Sequence, residues 1–297
     1  MSLALEGVFI ALTSPFDGES VSAERMRQNV SKHNRVDLAG YLALGSTGES
    51  VLLSDGESEA LVEAVLEAAR PGRRVLVGTA RESTRATVEF TRRVGRAGVA
   101  AALVRPPSYY KGMMTREALK AHFLAVAEAS PVPIILYNMP QNTGISLEPR
   151  LVVDLAPHPN IVGLKESSGS LAFLAEVVRE VPPDFRYFLG SGQVVLPGLE
   201  MGASGAILAV ANAAPETCAE IFRLFKAGQS DAARKLQLAL VPLNKAVTET
   251  FGIAGLKHAL DFRGFYGGPT RPPLLPLDDR GRREVEASLR KLGLPRV

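Results

Sequence analysis

A lysine at the end of an apolar segment is the residue with the clearest capacity for chemistry. Lys165 directly follows the run Ile161–Leu164, which has the composition of a buried strand. A low-dielectric interior favours the uncharged form of an amine, and an uncharged amine is a nucleophile that forms a Schiff base with a carbonyl. Position alone favours the plainer interpretation, an ordinary surface lysine just past a strand.

Two other features carry groups suited to the same chemistry. Tyr137 ends the preceding apolar run, where its phenol could move protons during an addition or aldol step or simply fill the core with a polar tip. The turn Gly45–Gly48 contains Ser46 and Thr47. Its backbone N–H groups and hydroxyls suit a carboxylate or a phosphate, although the segment also fits an ordinary strand-to-helix turn.

The apolar pattern indicates how these residues are positioned. Eight short runs, most of them continuous rather than alternating, are typical of parallel strands buried on both faces. We therefore predict a (β/α)8 barrel over residues 1–228, with active-site residues at the carboxyl ends of its strands. A doubly wound sheet is the alternative, but its glycine fingerprint is missing. The runs are Gly7–Leu12, Tyr41–Leu44, Val75–Gly78, Ala100–Val104, Ile134–Tyr137, Ile161–Leu164, Tyr187–Leu189 and Ala206–Val210.

Helical spacing separates most of these runs. Ser54 and Glu57 form a capping-box pattern, and Ser83 and Thr115 also precede helical segments. Residues 229–297 are predicted to form a C-terminal helical extension. It contains helices over residues 232–247, kinked or broken at Pro242, and over residues 253–262.

Composition excludes several classes of protein. The 34 basic and 31 acidic residues give a net charge of only +3, unlike the clustered basic face of a nucleic-acid-binding protein. The longest apolar runs are too short for a membrane span, no signal peptide is evident, and one cysteine suits a reducing compartment. We expect a cytoplasmic protein. No metal or other cofactor is expected, because the four histidines are scattered: His33, His122, His158 and His258.

Three motifs together resemble one enzyme family. Gly-Ser-Thr-Gly-Glu at 45–49, Tyr-Asn-Met-Pro at 137–140 and Gly-Leu-Lys-Glu-Ser at 163–167 are similar to those of the dihydrodipicolinate synthase / N-acetylneuraminate lyase family of Schiff-base aldolases. The resemblance spans nearly the whole chain. It implies a (β/α)8 barrel with a helical extension, a carbon–carbon lyase activity without cofactors, and a homotetramer.

The resemblance also implies residue roles. Lys165 would form the Schiff base with a 2-oxo acid, commonly pyruvate, and Tyr137 would transfer protons. Ser46 and Thr47 would hold the carboxylate, with Thr47 also in a hydroxyl relay. Tyr110, or its neighbour Tyr109, would complete that relay from a neighbouring subunit. Gly190 and Ile207 match positions that line the pocket.

One departure affects the substrate. Family members that make dihydrodipicolinate carry an arginine where this chain has Asn142, and asparagine offers no fixed positive charge. The Asn-Thr-Gly segment at 142–144 instead resembles the 4-hydroxy-2-oxoglutarate aldolase branch. Our first expectation is therefore cleavage of 4-hydroxy-2-oxoglutarate to pyruvate and glyoxylate. Asn142 would contact substrate, and Arg81, Arg105 and Lys111 are unranked candidates to bind a distal carboxylate.

Alternatives remain open. Within the family they are a dihydrodipicolinate synthase that condenses pyruvate with aspartate semialdehyde, and a sugar-acid lyase or dehydratase. From a different class, a non-catalytic 2-oxo acid sensor on the same barrel would bind pyruvate without turnover.

Overall fold

The computed structural model describes residues 5–296 and contains a closed barrel of eight parallel strands, which confirms the predicted fold. Each strand pairs with the next along the chain, and the last pairs with the first. Every barrel strand overlaps one of the predicted apolar runs, whereas a short antiparallel pair, Phe16–Asp17 and Ser20–Val21, overlaps none. The strands are β1 (Gly7–Ala11), β2 (Gly40–Ala43), β3 (Arg74–Gly78), β4 (Ala101–Val104), β5 (Ile134–Asn138), β6 (Ile161–Glu166), β7 (Arg186–Leu189) and β8 (Gly205–Leu208).

The strands are apolar throughout because both of their faces are buried. One face packs inside the barrel, where Phe9, Leu42, Leu76 and Ile135 belong to a separate apolar cluster. The other face packs against the surrounding helices. This two-sided burial removes the alternation that would otherwise identify a strand.

Helices follow the strands around the barrel. The predicted starts are confirmed: Ser54 forms a capping box with Glu57, and the Ser83 and Thr115 side chains cap the next two helices. The helices of six or more residues are α1 (Ala23–His33), α2 (Asp55–Ala68), α3 (Thr84–Gly95), α4 (Arg116–Ala129), α5 (Pro149–Leu155), α6 (Leu171–Val178), α7 (Val195–Glu200) and α8 (Pro215–Lys226), and a four-residue helix at Pro140–Thr143 follows β5.

Three further helices follow, α9 (Ser230–Lys245), α10 (Gly252–Phe262) and α11 (Asp279–Lys291), with a π-helical turn at Ala246–Thr250 between the first two. Pro242 lies inside α9 without ending it. The helix instead changes to the π-helical turn one turn later, a change of hydrogen-bond pattern that is frequent at functional sites.

The sequence prediction did not include α11. Its apolar signal is sparse, because Val285 and Leu289 are its only buried residues with apolar side chains. The boundary of the extension at residue 228 stays a prediction; α8 ends at Lys226 and α9 begins at Ser230. Over residues 5–296, no helix is long and apolar enough to cross a membrane.

Candidate active site

The barrel places Lys165 beside Tyr137. The apolar run Ile161–Leu164 predicts a strand that ends before Lys165, but β6 continues through Glu166, because its pairing with β5 and β7 extends that far. Lys165 lies directly opposite Tyr137 in the register of the two strands. Its side chain is buried, and Nζ lies 4.5 Å from the centroid of the Tyr137 ring. The amine is therefore held against a phenol inside the barrel.

The turn after β2 brings hydroxyl groups to the same phenol. The Ser46 hydroxyl lies 3.3 Å from the Tyr137 hydroxyl, at hydrogen-bond distance. Ser46 and Thr47 belong to a single 3-10 turn, which is anchored where the Ser14 hydroxyl donates to the carbonyl of Gly48 at 2.6 Å. The turn thus presents two hydroxyls at the end of the barrel that holds the amine.

A cavity of about 540 Å³ opens at the carboxyl ends of the strands. The predicted site residues that line it are Ser46, Thr47, Tyr137, Asn142, Lys165, Gly190 and Ile207. The structure therefore brings together every residue that was given a catalytic or pocket role except Tyr110, while the candidate cations Arg81, Arg105 and Lys111 do not line the cavity.

The exception is Tyr110. It is 71% exposed and Tyr109 is 79% exposed, and neither lines the cavity. Their rings pack edge to face against each other, with centroids 5.0 Å apart. The Glu82 carboxylate anchors their loop by accepting hydrogen bonds from the backbone N–H groups of Ser108 and Tyr109. Within one chain, Tyr110 does not reach the site.

The far wall of the cavity comes from the C-terminal part of the chain and was missed by sequence reasoning. The π-helical turn contributes Val247, Thr248 and Glu249, and the segment after α10 contributes Leu274 and Leu275. Nothing in their local pattern marks them as site residues, because they reach the cavity only when the C-terminal helices pack on the barrel.

Glu166 was also missed, although a polar residue that ends an apolar strand is a signal in the sequence. Its carboxylate is buried and accepts hydrogen bonds from the backbone N–H groups of Ser168 and Gly169 and from the Asn138 side chain. Adjacent strand residues point to opposite faces. Glu166 therefore fixes the loop behind Lys165, on the side away from the barrel interior.

The cavity contains few charged groups. Among the described residues that line it, Lys165 is the only cation and Glu249 is the only carboxylate. Glu249 lies at the exposed rim and contacts the Gln193 amide. A negatively charged distal group on a substrate would find no arginine in this lining.

The three candidate cations differ in their surroundings. Arg81 pairs with Asp55 at 2.7 Å, and Arg105 pairs with Glu82 at 2.9 Å. Lys111 packs against the turn that follows Asn142: a Cβ atom added at Gly144 would lie 2.9 Å from Lys111 Nζ. Lys111 is therefore the candidate placed beside the Asn142 turn.

Metal ligands are not grouped in the part of the chain that the structure covers. Over residues 5–296, no three His, Cys, Asp or Glu side chains converge on a common point. His33 and His122 are buried, and burial lowers the pKa of His33 to about 3 and that of His122 to about 4.

Sequence comparison identifies the family. Residues 4–292 match the Dihydrodipicolinate synthetase family. A 4-hydroxy-tetrahydrodipicolinate synthase from Methanopyrus kandleri is 37% identical over 99% of this chain and 98% of its own length. One from Methanothrix thermoacetophila is 34% identical over 96% of each chain.

Comparison with solved structures supports the same family. Dihydrodipicolinate synthase from Cyanidioschyzon merolae, with lysine bound, superposes with a TM-score of 0.93 at 28% identity, covering 99% of this chain and 100% of its own. A prophage protein of the dihydrodipicolinic acid synthase family from E. coli K12, solved with pyruvate, gives 0.92 at 25% identity, covering 97% and 99%. The chain therefore belongs to the dihydrodipicolinate synthetase family and is a class I aldolase, a carbon–carbon lyase.

Proposed function

We propose that the protein joins pyruvate to an aldehyde, or reverses that reaction, through a Schiff base on Lys165. The observation that carries the proposal is the buried Lys165 amine, 4.5 Å from the Tyr137 ring centroid in a cavity with two hydroxyls. A preorganised nucleophile beside a proton-transfer group is what Schiff-base catalysis requires. The relative from E. coli solved with pyruvate supports the choice of 2-oxo acid.

The steps follow from these groups. The neutral Lys165 amine adds to C2 of pyruvate, and the carbinolamine loses water as Tyr137 passes a proton to the departing hydroxyl. The resulting iminium withdraws electrons from C3, which loses a proton to give an enamine. The enamine carbon bonds to the aldehyde carbon, and the aldehyde oxygen takes up a proton. Addition of water to the imine then releases the product and restores the amine.

The hydroxyls of Ser46 and Thr47 are assigned to the carboxylate of pyruvate. They lie on one turn at the edge of the cavity, and Ser46 also reaches the Tyr137 hydroxyl. Neutral donors suit this task, because a carboxylate accepts several hydrogen bonds. Thr47 and Tyr137 form the relay in this scheme, with Tyr110 supplied by a second chain.

Aspartate semialdehyde is the aldehyde that the relatives favour. The relatives cited above are named 4-hydroxy-tetrahydrodipicolinate synthases, and these names support the synthase over 4-hydroxy-2-oxoglutarate cleavage, our first expectation. Cleavage of 4-hydroxy-2-oxoglutarate remains a second candidate, because Asn142 stands in the cavity lining at the position where synthases that make dihydrodipicolinate carry an arginine.

Two measurements test the proposal. Borohydride reduction in the presence of pyruvate should add the reduced pyruvate group to the peptide that contains Lys165, as measured by mass spectrometry; no adduct would contradict the Schiff base. Steady-state rates with pyruvate plus aspartate semialdehyde, and with 4-hydroxy-2-oxoglutarate, then choose between the substrates. An adduct without turnover of any aldehyde would identify a 2-oxo acid sensor instead.

We further propose that the protein is a cytoplasmic homotetramer. Its single cysteine suits a reducing compartment. Four exposed residues with large apolar side chains, Val51, Tyr109, Tyr110 and Met113, suit burial against a second copy. Sedimentation velocity of the purified protein tests the assembly.

A further inference from the structure

A buried ion pair joins the catalytic turn to the C-terminal helices. Lys257, on α10, places Nζ 2.6 Å from Oε1 of Glu49, and the side chains are 1% and 0% exposed. Burial lowers the pKa of the Lys257 ammonium, while the Glu49 carboxylate opposes that effect. Buried pairs of this kind need further hydrogen bonds to offset their loss of hydration.

Those hydrogen bonds come from the chain beyond α10. Lys257 Nζ also donates to the carbonyl of Pro269 at 2.6 Å, and the backbone N–H of Arg271 donates to Glu49 Oε2 at 2.9 Å. The Arg271 guanidinium forms two hydrogen bonds with the Glu57 carboxylate, at 2.6 and 2.9 Å. The network therefore ties the start of α2 to the C-terminal segment.

A single aromatic ring packs against both cations. Lys257 Nζ lies 4.4 Å and Arg271 Cζ 4.5 Å from the centroid of Phe16. Such contacts stabilise desolvated cations. The network is thus enclosed between the barrel and the extension.

Glu49 lies two residues after Thr47 and in a restricted conformation. Its φ of 52° and ψ of 30° fall in the left-handed region, which residues other than glycine adopt uncommonly. Such backbone conformations persist where the surroundings enforce them. Here the enforcing contacts are those of the Glu49 carboxylate, and the backbone they hold carries Ser46 and Thr47.

We propose that the Glu49–Lys257 pair positions the Ser46–Thr47 turn for pyruvate binding, so that the C-terminal extension sets the geometry of the 2-oxo acid site. Glu49 and Lys257 are positioning residues, because neither lines the cavity. This inference rests on the proposed function, in which those hydroxyls hold the carboxylate of pyruvate. It adds that the pyruvate site depends on an ion pair that forms only when the C-terminal extension packs on the barrel.

The test compares Lys257→Met with the parent enzyme. Methionine preserves the length of the side chain but leaves the Glu49 carboxylate buried without its cation. We expect the KM for pyruvate to rise about tenfold, and the initial rate of borohydride trapping at low pyruvate to fall by a similar factor. Lys257→Arg, which retains the charge, should recover part of both losses.

Two further variants separate positioning from folding. Arg116→Met removes the Arg116–Asp154 ion pair on the barrel exterior and should lower the melting temperature without changing the KM for pyruvate. If Lys257→Met does not fold, Glu49→Asp takes its place: it keeps the charge but withdraws the carboxylate by one methylene, and the same rise in KM is expected.

The outcomes are distinguishable from failure of the proposed function. Absence of a trapped adduct in the parent enzyme would contradict the Schiff base itself. A parent adduct together with a folded Lys257→Met or Glu49→Asp whose KM and trapping rate are unchanged would overturn the positioning role alone.

Discussion

At the scale of single residues, the proposed chemistry depends on the Lys165 amine being able to lose its proton. The amine is buried beside the Tyr137 ring, within the cavity. Only an uncharged amine can add to the carbonyl carbon. The side chain at this position must therefore be an amine rather than any cation of similar length.

Lys165→Arg is expected to lower kcat by at least about a thousandfold, because a guanidinium is not deprotonated in proteins and forms no Schiff base. Borohydride with pyruvate should give no adduct in this variant. Circular dichroism would establish that the barrel is intact. A variant that retained activity and an adduct would place the Schiff base on another lysine.

Asn142 tests the choice of aldehyde. An arginine at this position would add a bidentate cation to a cavity in which Lys165 is the only basic side chain among the described lining residues. We expect Asn142→Arg to increase kcat/KM for aspartate semialdehyde about tenfold and to leave the KM for pyruvate unchanged. Asn142→Gln, which is longer but neutral, is the control. An equal effect of glutamine and arginine would show that charge is not the missing feature.

At the scale of elements, the close contact between β6 and β7 fixes the end of the strand that carries Lys165. A Cβ atom at Gly190 would lie 1.9 Å from Ser167 Oγ and 2.9 Å from the backbone oxygen of Glu166. Real Cβ contacts are never this short, so a side chain at Gly190 must displace the end of β6. Gly190 is needed here because it has no side chain.

Gly190→Ala is therefore expected to lower kcat/KM by at least about tenfold through misplacement of Lys165. The control is Gly56→Ala, since a Cβ atom at that helical position meets nothing within 4 Å and alanine favours helix over glycine. Steady-state kinetics and thermal melting measure both variants. Full activity of Gly190→Ala would show that β6 tolerates the displacement.

At the scale of the whole molecule, a buried histidine couples the packing of the extension to pH. His33, at the end of α1, stacks on Phe265 with ring centroids 4.4 Å apart. Its ring nitrogens have no hydrogen-bond partner among the described residues. Burial keeps the folded-state pKa near 3, so the unfolded chain takes up a proton near pH 6.5 that the folded chain does not.

His33 therefore destabilises the folded protein at acidic pH. Above about pH 6.5 the histidine does not lower the free energy of unfolding. As the pH falls from 6.5 towards 3, it lowers the free energy of unfolding by an increasing amount. Between pH 6.5 and 5 the loss is about 2 kcal/mol. The free energy of unfolding, measured by urea denaturation, should fall between pH 7.5 and pH 5 in the parent protein. In His33→Phe this fall should be smaller by that amount. Identical pH dependence in both proteins would exclude this role.

Assembly of several copies of the chain is the second property of the whole molecule. Tyr110 faces solvent in one chain, so its proposed place in the relay requires a second copy. Tyr110→Phe should lower kcat about tenfold or more, with no change in the sedimentation coefficient because the ring is preserved. Tyr109→Phe is the matched control on the same loop. If both variants retain full activity, neither hydroxyl takes part in proton transfer.

The sequence by itself determined the barrel fold and the proximity of Lys165 to Tyr137. Eight short apolar runs, most of them continuous, indicate burial on both faces; Tyr137 ends one run and Lys165 directly follows the next. Consecutive strands of a parallel barrel are neighbours, so proximity of these two residues follows from chain order alone. Ser46 and Thr47 were found in the same way, because they directly follow a run, whereas Gly190 and Ile207 were assigned from the family resemblance.

Only the tertiary structure decided which distant segments complete the site. The wall formed by Val247–Glu249, Leu274 and Leu275 arises when the C-terminal helices pack on the barrel. Likewise, Glu49 and Lys257 become partners only in the folded molecule. The sequence shows that these residues exist, but their pairing is non-local: it depends on how whole elements pack, and no local periodicity records it.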